Sequence, residues 1–245
     1  MRSLLEQHRN AGNGFPLIGG HRGCRCEEQE NSIPAMEMGL LRGADYLEID
    51  VQLTRDKVPV IFHDIETLEK TGLPGLVQDH TYEELSRNYQ VPTLEHVMQW
   101  GRENGVYFAL EIKSHYCMTG DFELELMPRM NEIVKGAGML SNVEAFGVNY
   151  KALAALKRLN PEFEIGLIVP FIPRDPVSLM RELDAMVYLS YVYNLGKDEI
   201  ALLQRSGYYV SGAILRDQKH IDYAIETGVD MFEYDEPEMF QARKR

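Results

Sequence analysis

Two histidines, three carboxylic acids, an arginine and a lysine close a series of short apolar runs in the first half of the 245-residue chain. LIGGHRG, from 17 to 23, passes from apolar residues through two glycines into His21 and Arg22. In YLEIDVQL, 46–53, side chains alternate: Tyr46, Glu48 and Asp50 share one face of an extended chain, and Leu47, Ile49 and Val51 share the other. VPVIFHD, 58–64, ends on His63, and in VYFALEIKS Ala109, Glu111 and Lys113 lie opposite Leu110 and Ile112. Three acids at one place repel one another unless protonated, paired or bridged by a cation. All-oxygen ligation suits a single divalent ion, Mg²⁺ or Ca²⁺, better than zinc. Two imidazoles beside such a site have the chemistry of a general acid and a general base. Arg22 and Lys113 could hold phosphate oxygens and stabilise charge that develops on phosphorus. Taken singly, Glu48 or Asp50 would more often be an ion-pair partner, His21 a satisfied strand-end histidine and Lys113 a solvated lysine. The argument for a site rests on their co-occurrence at strand ends with matching alternation.

The elements that must position these groups alternate along the whole chain. Strand-like runs fall at 15–20, 46–53, 58–62, 106–112, 143–148, 164–169, 185–189, 208–213 and 230–234. Several are nearly continuous apolar segments, as in parallel strands covered on both faces. Amphipathic stretches separate them at 32–42, 93–104, 122–136, 150–159, 176–183, 196–206 and 218–227. Ser32 before Pro34, and Thr93 with Gly105 at the far end, are helix start and stop signals. Counting 58–62 as an extension of the second strand leaves eight strand units in a single domain, 1–245. That pattern predicts an α/β fold, a (β/α)₈ TIM barrel. An open doubly wound sheet would want a glycine-rich phosphate turn after an early strand, and no G-x-G-x-x-G is present. Residues 64–92 exceed a simple strand-to-helix loop and read as a short insertion after the second strand, over one end of the barrel. Barrel enzymes build their sites at the C-terminal strand ends, where His21, Arg22, Glu48, Asp50, His63, Glu111 and Lys113 fall.

Asp and Glu number 38 against 25 Lys and Arg, a formal net charge of −13. This balance argues against a nucleic-acid partner or an anionic membrane surface, but a local cation or arginine cluster can still receive an anionic substrate. MRSLLEQHRNAGNGFP holds no apolar stretch of the kind a secretory signal needs. No window approaches the roughly 18 apolar residues of a membrane span, so stable membrane insertion is not expected. Cys24, Cys26 and Cys117 do not make a disulfide framework. A soluble, cytoplasmic protein with free thiols is expected, although Cys26 and Cys117 would lie in loops at the same barrel end, within reach of a bridge. The oligomeric state is not readable from the sequence.

His21-Arg22-Gly23, Glu30-Asn31-Ser32, GADYLEIDVQLTRDKVPVIFHD (43–64), PTLEHV (92–97), Glu111-Ile112-Lys113 and the late GVDMFEYDEP (228–237) together resemble the glycerophosphodiester phosphodiesterases. The resemblance runs over nearly the whole chain. It implies a (β/α)₈ barrel that hydrolyses a phosphodiester to a phosphomonoester and an alcohol, commonly glycerol 3-phosphate and a free alcohol. By the same resemblance His21 and His63 are the acid/base pair, Glu48, Asp50 and Glu111 the divalent-metal ligands, and Arg22 and Lys113 phosphate contacts. The chain departs from the family at the rim. The motif S-F-D after the fourth strand unit reads Gly147-Val148-Asn149, and W-T-V-N at the seventh reads Ala213-Ile214-Leu215-Arg216. A missing tryptophan removes an apolar wall and Arg216 adds a donor fork to the substrate-binding rim. A more polar rim would suit a small glycerophosphodiester or a sugar phosphodiester of the agrocinopine type. Lysophospholipase-D-like cleavage would need an apolar entrance, for which Pro170-Phe171-Ile172-Pro173 is the candidate. A barrel that only binds a phosphorylated ligand would not need both histidines.

Overall fold

The alternation read from the sequence closes on itself. The computed structural model describes residues 1–12, 14–114 and 122–240. Its strands are β1 (Leu17–His21), β2 (Tyr46–Leu53), β3 (Pro59–Ile61), β4 (Phe108–Ile112), β5 (Val143–Gly147), β6 (Glu164–Ile168), β7 (Val187–Tyr191), β8 (Tyr209–Ala213) and β9 (Met231–Tyr234). Neighbours run β1-β9-β8-β7-β6-β5-β4-β2, and β1 also pairs with β2. Eight parallel strands therefore form a closed (β/α)₈ TIM barrel. The helices are α1 (Arg2–Ala11), α2 (Ile33–Leu41), α3 (Leu68–Thr71), α4 (Tyr82–Ser86), α5 (Leu94–Asn104), α6 (Phe122–Gly136), α7 (Tyr150–Leu159), α8 (Pro176–Glu182), α9 (Lys197–Arg205) and α10 (Gln218–Thr227). The capping signals act as expected. Ser32 accepts the Ala35 N–H at 3.2 Å, Thr93 accepts the His96 N–H at 3.2 Å, and Gly105 ends α5 in the left-handed region.

Three differences from the sequence reading have local causes. The run 58–62 is not an extension of β2. Its β3 portion folds back antiparallel on β2, with Val51 opposite Ile61 and Leu53 opposite Pro59. Thr54 and Val58 exchange hydrogen bonds across the turn, and Lys57 takes φ 65°, so the chain reverses between them. The sixth barrel strand, β7, begins at Val187 rather than 185, because AMVYLSYV stays apolar across the boundary and offers no stop signal. Helix α1 carries few apolar residues and was not expected. Its Leu5, with Met1, joins the barrel's interior cluster of Leu17, Tyr46, Ala109, Val187, Tyr209 and Met231.

Two layers of packing fix the strand faces. Leu47, Ile49, Val51, Leu110 and Ile112 point outward into the main core with Met36, Leu94, Val97 and Met98. The opposite faces of β2 and β4 look into the barrel. Gly19 is required there, since a Cβ at that position would lie 2.5 Å from the Tyr46 ring. The insertion at 64–92 has its own small core, in which Val77, Leu85 and Val91 cover Val60 and Phe62. Cys117 lies outside the described residues. Among those described, no helix is long and apolar enough to cross a membrane.

Candidate active site

Strand register assembles the charged groups. β1 and β2 align His21 with Glu48, and β2 and β4 align Asp50 with Glu111. One oxygen from each of Glu48, Asp50 and Glu111 lies within 4.8 Å of the others. Glu48 and Asp50 are buried. Burial, with repulsion from Asp50 and Glu111, pushes the Glu48 carboxyl well above its usual range. Burial also raises Glu111, against the pull of Lys113. At Asp50 burial is outweighed by the positive charge of Lys113 and Arg22 and by the Asn31 hydrogen bond, which bring the carboxyl below its usual range. Lys113 Nζ stands 2.9 Å from Glu111 Oε1 and 3.3 Å from Asp50 Oδ1, and these carboxylates hold its pKa up despite burial.

The HRG turn clamps the acids from the other side. Arg22 takes φ 54°, which aims its backbone N–H at Glu48 Oε2, 3.0 Å away. Its Nε is 3.6 Å from Asp50 Oδ2, and its Nη1 donates to Glu30 at 2.9 Å. Gly23 continues the left-handed turn at φ 88°, where a Cβ would strike the Ala35 backbone at 2.5 Å. Asn31 donates to Asp50 Oδ2 at 2.7 Å. Asp50 Oδ1 makes no hydrogen bond among the described residues but stands 3.3 Å from the Lys113 ammonium. A largely buried, all-oxygen donor set fits a hard divalent cation.

Both histidines are oriented by carboxylates. His21 Nδ1 donates to Asp235 Oδ1 at 2.7 Å, and Asp235 also receives Arg25 Nε at 2.7 Å. These two bonds hold Asp235 far below its usual range, against the effect of burial. His63 Nδ1 donates to Asp64 Oδ1 at 2.6 Å. A carboxylate at Nδ1 fixes the tautomer and leaves Nε2 of each neutral ring as the proton acceptor. Burial lowers the pKa of His63, so the neutral ring is favoured.

A cavity of about 740 Å³ opens at this end of the barrel. Of the residues singled out in the sequence, His21, Arg22, Glu48, His63, Glu111 and Arg216 line it. Asp50 and Lys113 do not; they stand behind Glu111. Arg216 follows β8, is exposed, and has no hydrogen-bond or ion-pair partner among the described residues. Between β5 and β8 this is the charged side chain of the lining, with Ser190 and Tyr191 as its polar neighbours. Phe146, Val148, Ile168, Leu189, Ile214 and Leu215 make the wall from β5 to β8 mainly apolar. Sequence reasoning did not assign Asp235, Asp64, Glu30 or Asn31. The quoted motifs contained all four, but their partners become visible only when β9 closes beside β1 and the insertion folds back. Cys24 and Cys26 are free thiols with Sγ atoms 3.3 Å apart.

A closed barrel with two carboxylate-oriented imidazoles at the edge of an acidic cluster is the framework of a phosphodiesterase. A model of the glycerophosphoryl diester phosphodiesterase family matches residues 21–239, and the chain belongs to that family. It is similar to a glycerophosphodiester phosphodiesterase of Bacillus altitudinis, at 27% identity over 229 residues covering 87% of this chain and 91% of the relative. A shorter stretch of 68 residues, 28% of this chain and 21% of the relative, is 41% identical to human lysophospholipase D GDPD3. The fold is similar to that of an Oleispira antarctica phosphodiesterase solved with the product sn-glycerol-3-phosphate. The TM-score is 0.79, with 24% identity and coverage of 93% of this chain and 96% of that one.

Proposed function

We propose that this phosphodiesterase hydrolyses a small glycerophosphodiester to a phosphomonoester and an alcohol, with His21 and His63 as its acid/base pair. The observation that carries this reading is the pairing of each ring through Nδ1, to Asp235 at 2.7 Å and to Asp64 at 2.6 Å, at the border of one acidic cluster. Glu48, Asp50 and Glu111 would hold one divalent cation, Mg²⁺ or Ca²⁺, which would supply Lewis-acid stabilisation of the phosphate. Arg22 lines the cavity and grips phosphate oxygens, and Lys113 adds positive charge from behind the acids. His63, neutral by burial, takes the proton from the attacking oxygen as the new P–O bond forms. That oxygen is water, or the neighbouring substrate hydroxyl, in which case water then opens the cyclic phosphate to the phosphomonoester. His21 gives a proton to the departing alkoxide as the old P–O bond breaks. Arg216 contacts the alcohol beyond the phosphate.

Phosphomonoester release from a glycerophosphodiester tests this directly. His21→Ala and His63→Ala should each lower kcat by about 10²–10⁴-fold with an unchanged melting temperature. A near-wild-type rate in either variant removes that histidine from the mechanism.

A second reading, lysophospholipase-D-like cleavage, is favoured by one feature. Val148, Phe171, Ile172, Tyr193 and Ile214 are exposed on the loops that follow β5, β6, β7 and β8. Such a cluster of apolar side chains beside the cavity can receive an alkyl chain attached to the phosphodiester. The sugar phosphodiester alternative finds support in Arg216. Relative kcat/KM on the three substrate classes separates them.

A further inference from the structure

Between the two carboxylates that orient Arg22 and His63 stands an ammonium group from the insertion. Lys70, on α3, ion-pairs with Glu30 and lies 3.0 Å from Asp64 Oδ2. Glu30 in turn accepts from Arg22 Nη1 at 2.9 Å, and Asp64 from His63 Nδ1 at 2.6 Å. The result is a single file of alternating charge, Arg22–Glu30–Lys70–Asp64–His63. Its two ends line the cavity, and its three middle members do not.

We infer that Lys70 is a positioning residue, which locks the phosphate-gripping arginine and the acid/base histidine into one register. The inference rests on the roles proposed for Arg22 and His63. Three observations support it. Oxygens of Glu30 and Asp64 and a ring nitrogen of His63 lie within 4.8 Å of one another, a spacing that could hold a cation, and the ammonium fills that place. Lys70 is largely buried, with a side chain 18% exposed, and despite that burial the two carboxylates hold its pKa above the usual lysine range. Its helix is fixed to the insertion rather than to the barrel. Thr67 Oγ1 donates to Leu73 O at 2.7 Å, Thr71 Oγ1 donates to Thr67 O at 2.8 Å, and Gly72 caps the turn at φ 77°. The 64–92 insertion thereby reaches the chemistry without touching the cavity. Without the ammonium, two partly buried carboxylates lose the cation they share, leaving Glu30 to Arg22 and Arg25 and Asp64 to His63 alone. They would separate or take up a proton, and either change frees the His63 ring and the Arg22 fork from their set positions.

The test uses the full chain with Lys70→Met, Lys70→Gln and Lys70→Arg. Steady-state kinetics on glycerophosphocholine, thermal unfolding and the NMR signal of the His63 Nδ1 proton are read in each. Lys70→Met and Lys70→Gln should lower kcat by about ten- to a hundredfold and raise KM, and should shift or broaden the Nδ1 proton. Lys70→Arg, which can span both carboxylates, should recover most of both. Wild-type kcat, KM and Nδ1 proton in a folded Met or Gln variant would overturn the inference, even if the melting temperature fell. A parent enzyme that does not cleave glycerophosphocholine would instead count against the substrate reading. The His63 proton would still report whether Lys70 sets the ring.

Discussion

The arc of the barrel mouth formed by β9, β1, β2 and β4 carries the histidines and the acids, whereas the arc from β5 to β8 presents Phe146, Val148, Ile168, Leu189 and Ile214, with Arg216 as its charged exception. Groups in the charged arc restrain one another: Lys113 touches two acids, Asp235 ties β9 to His21 on β1, and Lys70 joins two further carboxylates. Side chains in the apolar arc stand next to each other with few such ties. The Tyr191 and Tyr193 rings stack at 5.2 Å, and Phe171 and Ile172 are exposed. On the proposed function the division gives the arcs different tasks. Bond cleavage needs fixed charge in a fixed geometry, and on that reading the charged arc supplies it. The apolar arc can accept an alcohol group by shape and burial, and can vary without disturbing the chemistry.

The largest effect that would sharpen this contrast comes from Asp235→Asn. Its amide can donate to His21 Nδ1 and so impose the wrong tautomer, and kcat should fall by about 10²–10⁴-fold with KM little changed. Retention of wild-type kcat would show that His21 does not need the β9 carboxylate, and the charged arc would lose its closing member. A smaller effect is expected across the mouth. Phe171→Asp and Ile172→Asp should leave kcat/KM on glycerophosphocholine within about twofold. If the apolar arc receives an alkyl chain, they should lower kcat/KM on a lysophospholipid by roughly tenfold, the scale of burying one or two apolar groups. Equal effects on both substrates would erase the functional distinction between the arcs.

The charged arc was largely legible in the sequence, and the apolar arc was not. Period-two alternation put Glu48 and Asp50 on one face, and His21, His63, Glu111 and Lys113 fell at the ends of recognisable strands. A carboxylate is conspicuous on the inward face of an otherwise apolar strand. Leu189 and Phe146 are not, since an apolar residue at a strand end looks like any other core residue. The eight-strand count also emerged from the pattern, although β3 was misread, because a turn built on Thr54 and on Lys57 with positive φ carries no glycine or proline. Asp235 pairs with His21 across 214 residues of chain, which only closure of the barrel makes local. Lys70 escaped because its helix has 4 residues, too short for any periodicity to show.

The most direct test of the central claim, that Glu48, Asp50 and Glu111 hold one divalent cation for two-histidine hydrolysis, is phosphomonoester release from glycerophosphocholine before and after EDTA treatment. Activity should disappear with the chelator and return on adding Mg²⁺ or Ca²⁺ to the wild type but not to Asp50→Asn. Turnover that survives exhaustive chelation unchanged would contradict it.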